Sequence, residues 1–258
     1  MNITYIGHAT LLIEIGGRRI LTDPNFDSRL GRFLRRVSEP GMLVEQLPRL
    51  DALLLTHAHA DHLSFSTLNL LPRDVPLFAP PSLARWLTRL GYRQAVPLAP
   101  EENVRLGEVT LFAAKARHAG ARYGVDRWRA DTNMYLLDSP EHTAFFAGDT
   151  ALTPTSHRLV EQVLHEESRS LDVALLPIGH APLWKRSLFR RGHLTAEDAL
   201  SLYGRLRARW FIPYHWGTFD HVTSGAHDAI THLRSLLTQH ERREGVRILE
   251  PGERWVKE

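Results

Sequence analysis

Cysteine is absent from the 258 residues, which removes disulfides and thiolate metal sites and leaves histidine and carboxylate to hold any transition metal. Lysine is scarce: Lys115, Lys185 and Lys257 are the only three, so the net charge of +3 rests on arginine. Guanidinium suits bidentate recognition of phosphate or carboxylate, although a coding bias produces the same skew. No apolar run reaches the roughly 20 residues that span a bilayer. The opening "MNITYIGHATLLIEIGG" lacks the basic start and cleavage site of a signal peptide. A cytoplasmic protein is therefore expected. No linker and no repeat of roughly 20–50 residues interrupts the chain, so one domain over residues 1–258 is expected, with 43% hydrophobic residues to fill its core.

What is present alternates between strand and helix signals. "ITYIGHATLLIEIGG" reads as a strand that turns at Gly16 and Gly17 into a second one, "RRILTDP". "LDALLLTH" is a short apolar run ending in polar residues, as expected of a buried strand feeding a loop. "HLSFSTLNLLP" predicts a short helix closed by Pro72, and "SLARWLTRLGY" a helix with Leu83, Trp86, Leu87 and Leu90 on one face. "VPLFAPP" and "AVPLAP" are strands around it. After Gly107, "EVTLFAAKARH", "TNMYLLDS" and "HTAFFAGDT" read as strands, followed by a helix over Pro154–Glu166 and a strand at "VALLPIG". Helices at "TAEDALSLYGRLR" and "GAHDAITHLRSLLTQH", the strand "WFIPYHWG" and a terminal strand "RILEPGERW" complete a layered α/β (α+β) pattern.

Fifteen histidines are many for this length, and histidine is the commonest metal ligand. "LLLTHAHADHLS" sets His57, His59, Asp61 and His62 directly after leucines. That spacing cannot share one face of a strand or helix, so the segment is expected to wrap around metal. Four groups are too few for two ions. Further candidates end other predicted strands: His118 in "AKARHAG", Asp149 in "FFAGDTA" and His215 in "IPYHWGTF". Taken singly, either histidine suits a loop or core position, and Asp149 suits a turn or N-cap. With the quartet they make five histidines and two aspartates, enough for a two-metal site.

"THAHADH" resembles the H-x-H-x-D-H signature of the metallo-β-lactamase superfamily, and His118, Asp149 and His215 follow in the order of its remaining ligands. The resemblance implies a four-layered αββα sandwich with the metals at one edge between two sheets. It implies that His57, His59 and His118 hold one metal, Asp61, His62 and His215 the other, and Asp149 bridges. Two divalent ions are expected, zinc first, with manganese and iron also suited to such ligands. "YIGHATLLIEIGGRRILTDP", "ARHAGARYGVDR", "LLPIG" and "YHWGTF" are similar to a narrower group that includes the N-acyl-phosphatidylethanolamine-hydrolysing phospholipase D and, more distantly, the ascorbate 6-phosphate lactonase. Departures from the phospholipase are Ala60, where it has an aromatic residue, and Ser64, where it has Asp.

Two metals would activate water against a phosphoryl or carbonyl centre without a nucleophilic side chain. Asp61 would orient that water. His193 in "RRGHLTAEDAL" precedes Thr195, an N-cap with Asp198 in a capping-box position. The matching histidine of the phospholipase approaches substrate, so His193 joins Asp61 as a catalytic candidate. His8 and Asp23 are expected to brace ligands from behind, or to be satisfied turn groups. His180 in "PIGHAPLW" is a candidate pocket residue. "SRLGRFLRRV" places Leu30, Phe33, Leu34 and Val37 at helical spacing among arginines, and "PLWKRSLFRRGH" mixes Trp184, Leu188 and Phe189 with cations. Residues 28–37 and 182–193 could together form a cationic, greasy entrance for an amphiphilic ester or a membrane surface, or be ordinary amphipathic surface. A phosphodiesterase reading leads, phospholipid-like substrates included. A lactonase or other carboxylic-ester hydrolase is the alternative, and a non-catalytic metal-binding protein a third. A nuclease fits less well because the arginines are scattered and no aromatic stacking series accompanies them, so no specific nucleic acid is expected. Exposed edge strands leave homo-oligomerisation open.

Overall fold

The computed structural model describes residues 1–31, 34–122, 131–165, 169–220 and 224–257. In chain order its strands and helices are β1 (Asn2–Gly7), β2 (Thr10–Ile15), β3 (Arg18–Thr22), β4 (Arg29–Leu30), β5 (Leu34–Arg35), β6 (Ala52–Leu54), α1 (Phe65–Leu70), β7 (Leu77–Ala79), α2 (Pro81–Arg89) and β8 (Ala95–Pro97). The second half adds β9 (Asn103–Leu106), β10 (Val109–Lys115), β11 (Asn133–Asp138), β12 (Thr143–Phe146), α3 (Arg158–His165), β13 (Val173–Pro177), α4 (Leu183–Phe189), α5 (Ala196–Leu206), β14 (Trp210–Tyr214), α6 (Asp228–Leu237) and β15 (Arg254–Val256).

Two large sheets face each other. One has the order β15-β1-β2-β3-β6-β7-β8 and the other β14-β13-β12-β11-β10-β9. Each is mixed: β3, β6, β7 and β8 are parallel, as are β12, β13 and β14, and antiparallel strands complete both. The alternation along β2 decides the layering. Leu11, Ile13 and Ile15 enter the core shared by the two sheets, while Leu12 enters a second core under α1 and α2. β6 is buried on both faces, Ala52 and Leu54 toward the shared core, Leu53 and Leu55 toward the helices. That is why its sequence is an unbroken apolar run. α5 and α6 add Leu202, Tyr203, Ile230 and Leu233 to the core of the second sheet. The result is the expected αββα sandwich.

The strand directions position the site. β1, β3 and β6 run one way in the first sheet, and β10, β12, β13 and β14 share one direction in the second. The loops leaving their C-terminal ends carry His8, Asp23, His57 to His62, His118, Asp149, His180 and His215. Backbone bonds tie these loops across the two sheets: Asn133 N donates to Thr56 O at 3.0 Å, Ala58 N to Gly120 O at 3.1 Å and His215 N to His8 O at 2.9 Å.

Four expectations change. The opening strand breaks at Gly7 and His8, whose left-handed backbone (φ 54°) ends β1 before β2 begins. The described residues of 28–37 are not helical: β4 and β5 pair antiparallel, with Gly31 at φ 60°, while Arg32 and Phe33 lie outside the described residues. The terminal strand is confined to Arg254–Val256. Leu90 caps α2 from an exposed position instead of joining buried Leu83 and Leu87. Ser64 and Thr195 cap α1 and α5, accepting from Thr67 N and Asp198 N.

Candidate metal centre

The loops bring all seven expected side chains together, and His8 with them. His57, His59, His118 and Asp149 form one group, and His8, Asp61, His62 and His215 a second; within each, one ligand atom per residue lies within 4.8 Å of the others. Asp149 faces both. Its Oδ2 is 3.4 Å from His62 Nε2 and 3.9 Å from His118 Nε2, and its Oδ1 is 3.4 Å from His215 Nε2. Asp61 Oδ2 lies 3.9 Å from His62 Nε2 and 3.8 Å from His215 Nε2. His59 Nδ1 and His118 Nε2 converge to 3.0 Å.

Local backbone geometry serves this convergence. His8, Asp23 and His215 are three of the five non-glycine residues with positive φ among those described, a conformation tolerated where surrounding structure enforces it. Gly148 has φ 55°, and a Cβ there would strike the Thr56 side chain, so only glycine turns the chain tightly enough to aim Asp149 inward.

A single carboxylate sets the tautomers of two histidines. Asp23 Oδ1 accepts from Thr56 N at 2.7 Å, and its Oδ2 accepts from Thr56 Oγ1 at 2.6 Å and from His62 Nδ1 at 2.8 Å. The Thr56 hydroxyl spends its one proton on Asp23, so at 2.9 Å it accepts from His57 Nδ1. Both imidazoles thus carry Nδ1–H and turn Nε2 toward the site. His118 is held likewise, its Nδ1 donating to Gly192 O at 2.7 Å. Such support fixes ligand orientation in metal sites.

The electrostatics also suit a cation. Burial opposes ionisation of Asp61 and Asp149, but the surrounding histidines overcome it and hold both carboxyls well below the usual range. Burial holds His57 well below its ordinary value and pushes His118 down to about 4 and His8 to about 3, leaving neutral rings. His62 behaves oppositely: burial disfavours its charge, yet Asp149, Asp61 and Asp23 draw a proton to it and raise it well above the ordinary value. His57 Nε2 is fully buried with no hydrogen-bond partner among the described residues. An orphaned imidazole nitrogen amid carboxylates fits a divalent cation, which accepts electron pairs from both.

Around this cluster the other expected residues separate. His193 Nε2 lies 3.6 Å from Asp149 Oδ2, and its ring stacks on Phe189 at 4.6 Å. Asp23 sits behind the histidines. His8 stands with the second group, its Nε2 donating to Asp61 Oδ2 at 3.1 Å. The His180 ring lies 6.2 Å from the ring of His232 of α6, outside both groups. Sequence reasoning missed Thr56, Asn25 and Arg122. Asn25 Nδ2 donates to Ala60 O at 2.9 Å and Asp61 O at 3.1 Å; Arg122 Nη1 donates to Leu63 O at 2.6 Å. Both brace the histidine loop through its carbonyls, which no spacing rule reveals; only the adjacency of Thr56 to His57 offered a signal. Beside His118 opens a cavity of about 620 Å³ lined by Lys115, Arg117, Asp131, Thr132, Asn133 and Arg191 among others.

A family model described as a beta-lactamase superfamily domain matches residues 18–216. The chain belongs to this superfamily. It is 27% identical to an N-acyl-phosphatidylethanolamine-hydrolyzing phospholipase D of Caenorhabditis elegans, covering 86% of this chain and 65% of that protein. Identity is also 27% with a metal-dependent hydrolase of Pyrobaculum aerophilum, over 98% of both. The chain spans about three-fifths of the length of several curated relatives, the nematode phospholipase among them. The solved isothiocyanate hydrolase from Delia radicum gut bacteria superposes with TM-score 0.77 at 20% identity, covering 99% of each chain, a likeness of fold. Within this superfamily the αββα sandwich accounts for the observed convergence of loops at one edge.

Proposed function

We propose that the protein is a dinuclear metal-dependent hydrolase acting on a phosphodiester, phospholipid-like substrates included. The observation that carries the reading is Asp149 facing histidines of both groups from one buried position. In this reading His57, His59 and His118 hold one divalent ion, Asp61, His62 and His215 the other, and Asp149 both. Zinc suits the nitrogen-rich set best, with manganese and iron also compatible. Bound there, the ions supply Lewis-acid activation of water and of the scissile ester.

The chain's own residues do the rest. His8 donates to Asp61 Oδ2, which fixes that carboxylate so that its other oxygen would orient the attacking water. His193 contacts the substrate at the edge of the cluster: burial lowers its pKa, and with Nδ1 donating to Phe189 O at 3.3 Å the neutral ring offers Nε2 to the site as a hydrogen-bond acceptor. Lys115, Arg117 and Arg191 along the cavity beside His118 favour an anionic ester over a neutral lactone. The named phospholipase relative supports the same preference. Metal-loaded enzyme is assayed on bis-p-nitrophenyl phosphate, a phospholipid, an acyl-homoserine lactone and single-stranded RNA. Phosphodiester cleavage is expected; turnover of lactone alone would overturn the substrate assignment.

A further inference from the structure

Helix α4 is turned inside out. A surface helix ordinarily buries its apolar stripe and exposes its charges. Here Arg186 pairs with Glu197, and Arg190 Nε donates to Asp198 Oδ2 at 2.8 Å while its Nη2 reaches Oδ1. Phe189 closes on His193 and Gly179. These contacts pin the charged face to the N-terminus of α5 and leave Leu183, Trp184 and Leu188 outside, 86%, 76% and 59% exposed. Among the described residues no comparable cluster of large apolar side chains is exposed. From Val173 to Ala196 there is no Asp or Glu; with Arg186 and Arg190 paired to Glu197 and Asp198, Lys185 and Arg191 are the remaining cations of that stretch. Arg191 also lines the cavity with Lys115 and Arg117.

We propose that α4 docks the protein on an anionic lipid surface, seating Leu183, Trp184 and Leu188 below the headgroups and the adjoining cations against them. The site mouth then opens onto that surface, because α4 leads through Gly192 and His193 directly to His118 and Asp149. A second copy of the chain fits the same face poorly. Three side chains present on the order of 400 Å², about half of the ~800 Å² per partner of a stable interface, and two such faces would set cations against cations. Shallow lipid insertion needs no larger area.

The inference rests on the hydrolase reading only for the location of the helix at the site mouth. Lipid binding is measured without turnover, so either can fail alone. The full chain, metal-loaded, is sedimented with vesicles of phosphatidylcholine alone and of phosphatidylcholine with phosphatidylglycerol, at low and high salt. Binding is expected to the anionic vesicles, weakened by salt. The triple variant Leu183→Ser, Trp184→Ser, Leu188→Ser should bind at least tenfold more weakly, with unchanged circular dichroism and unchanged hydrolysis of soluble bis-p-nitrophenyl phosphate. Trp184→Ser alone, should the triple variant misfold, is expected to reproduce part of the loss. Absence of vesicle binding by the parent protein, equal binding by the variants, or a dimer in light scattering that the substitutions dissolve would each overturn the proposal.

Discussion

Replacing Thr56 by valine isolates one link in the support of the metal centre. The side chain keeps its shape and loses one oxygen. Two buried partners are affected: Asp23 Oδ2 loses a donor at 2.6 Å and His57 Nδ1 an acceptor at 2.9 Å. Leaving buried polar groups unsatisfied costs about 1–3 kcal/mol, which corresponds to roughly 5–150-fold in an equilibrium constant. The range brackets the roughly 10–100-fold in metal affinity usual when such supporting residues are removed. His62 keeps its own bond to Asp23 at 2.8 Å, so the loss should fall on the group containing His57. Stepwise titration of the metal-free protein in competition with a chromophoric chelator reads the two constants separately. Thr56→Val should weaken one of them roughly 10–100-fold and largely spare the other, while Thr56→Ser should behave as the parent. Equal affinities for parent and Thr56→Val at both sites would refute the account of how His57 is aimed.

Metal affinity should also depend on pH with a definite sign. His62 is raised above its ordinary value by Asp149, Asp61 and Asp23, against the effect of burial, so a metal entering its group must displace a proton. Affinity there should rise as pH rises, by up to about tenfold per unit while His62 is protonated; a calorimetric titration showing no proton release would contradict this. Gly148→Ala sets a side chain at φ 55° against Thr56. A loss of about 1–2 kcal/mol from backbone strain, and more from the collision, should appear in urea unfolding, together with weakened metal binding.

Much of this was legible in the sequence because its physics is local. Leucines buried on both faces of β6, followed at once by His57, His59, Asp61 and His62, describe a strand that ends at a polar loop. His118, Asp149 and His215 stood out because each follows an apolar run that could be recognised as a strand. What escaped was set by backbone conformation or by contacts distant in sequence. The break after β1 did not show in the alternating pattern, since the positive φ of His8 is what separates β1 from β2. The helical spacing of Leu30, Leu34 and Val37 gave way to the antiparallel pair β4 and β5, with Gly31 in the left-handed conformation between them. Asn25 and Arg122 act through loop carbonyls, and a carbonyl leaves no mark on composition. The outward turn of α4 depends on Glu197 and Asp198, acids that the pattern of α5 explains equally well as first-turn residues.

The central claim is that one buried carboxylate joins two metal groups. Elemental analysis of the purified protein, paired with native mass spectrometry of the parent and of Asp149→Ala, tests it most directly. Two divalent ions per chain in the parent, and no more than one in the variant with hydrolysis lost, are expected. A variant that keeps both ions and full activity would contradict the account.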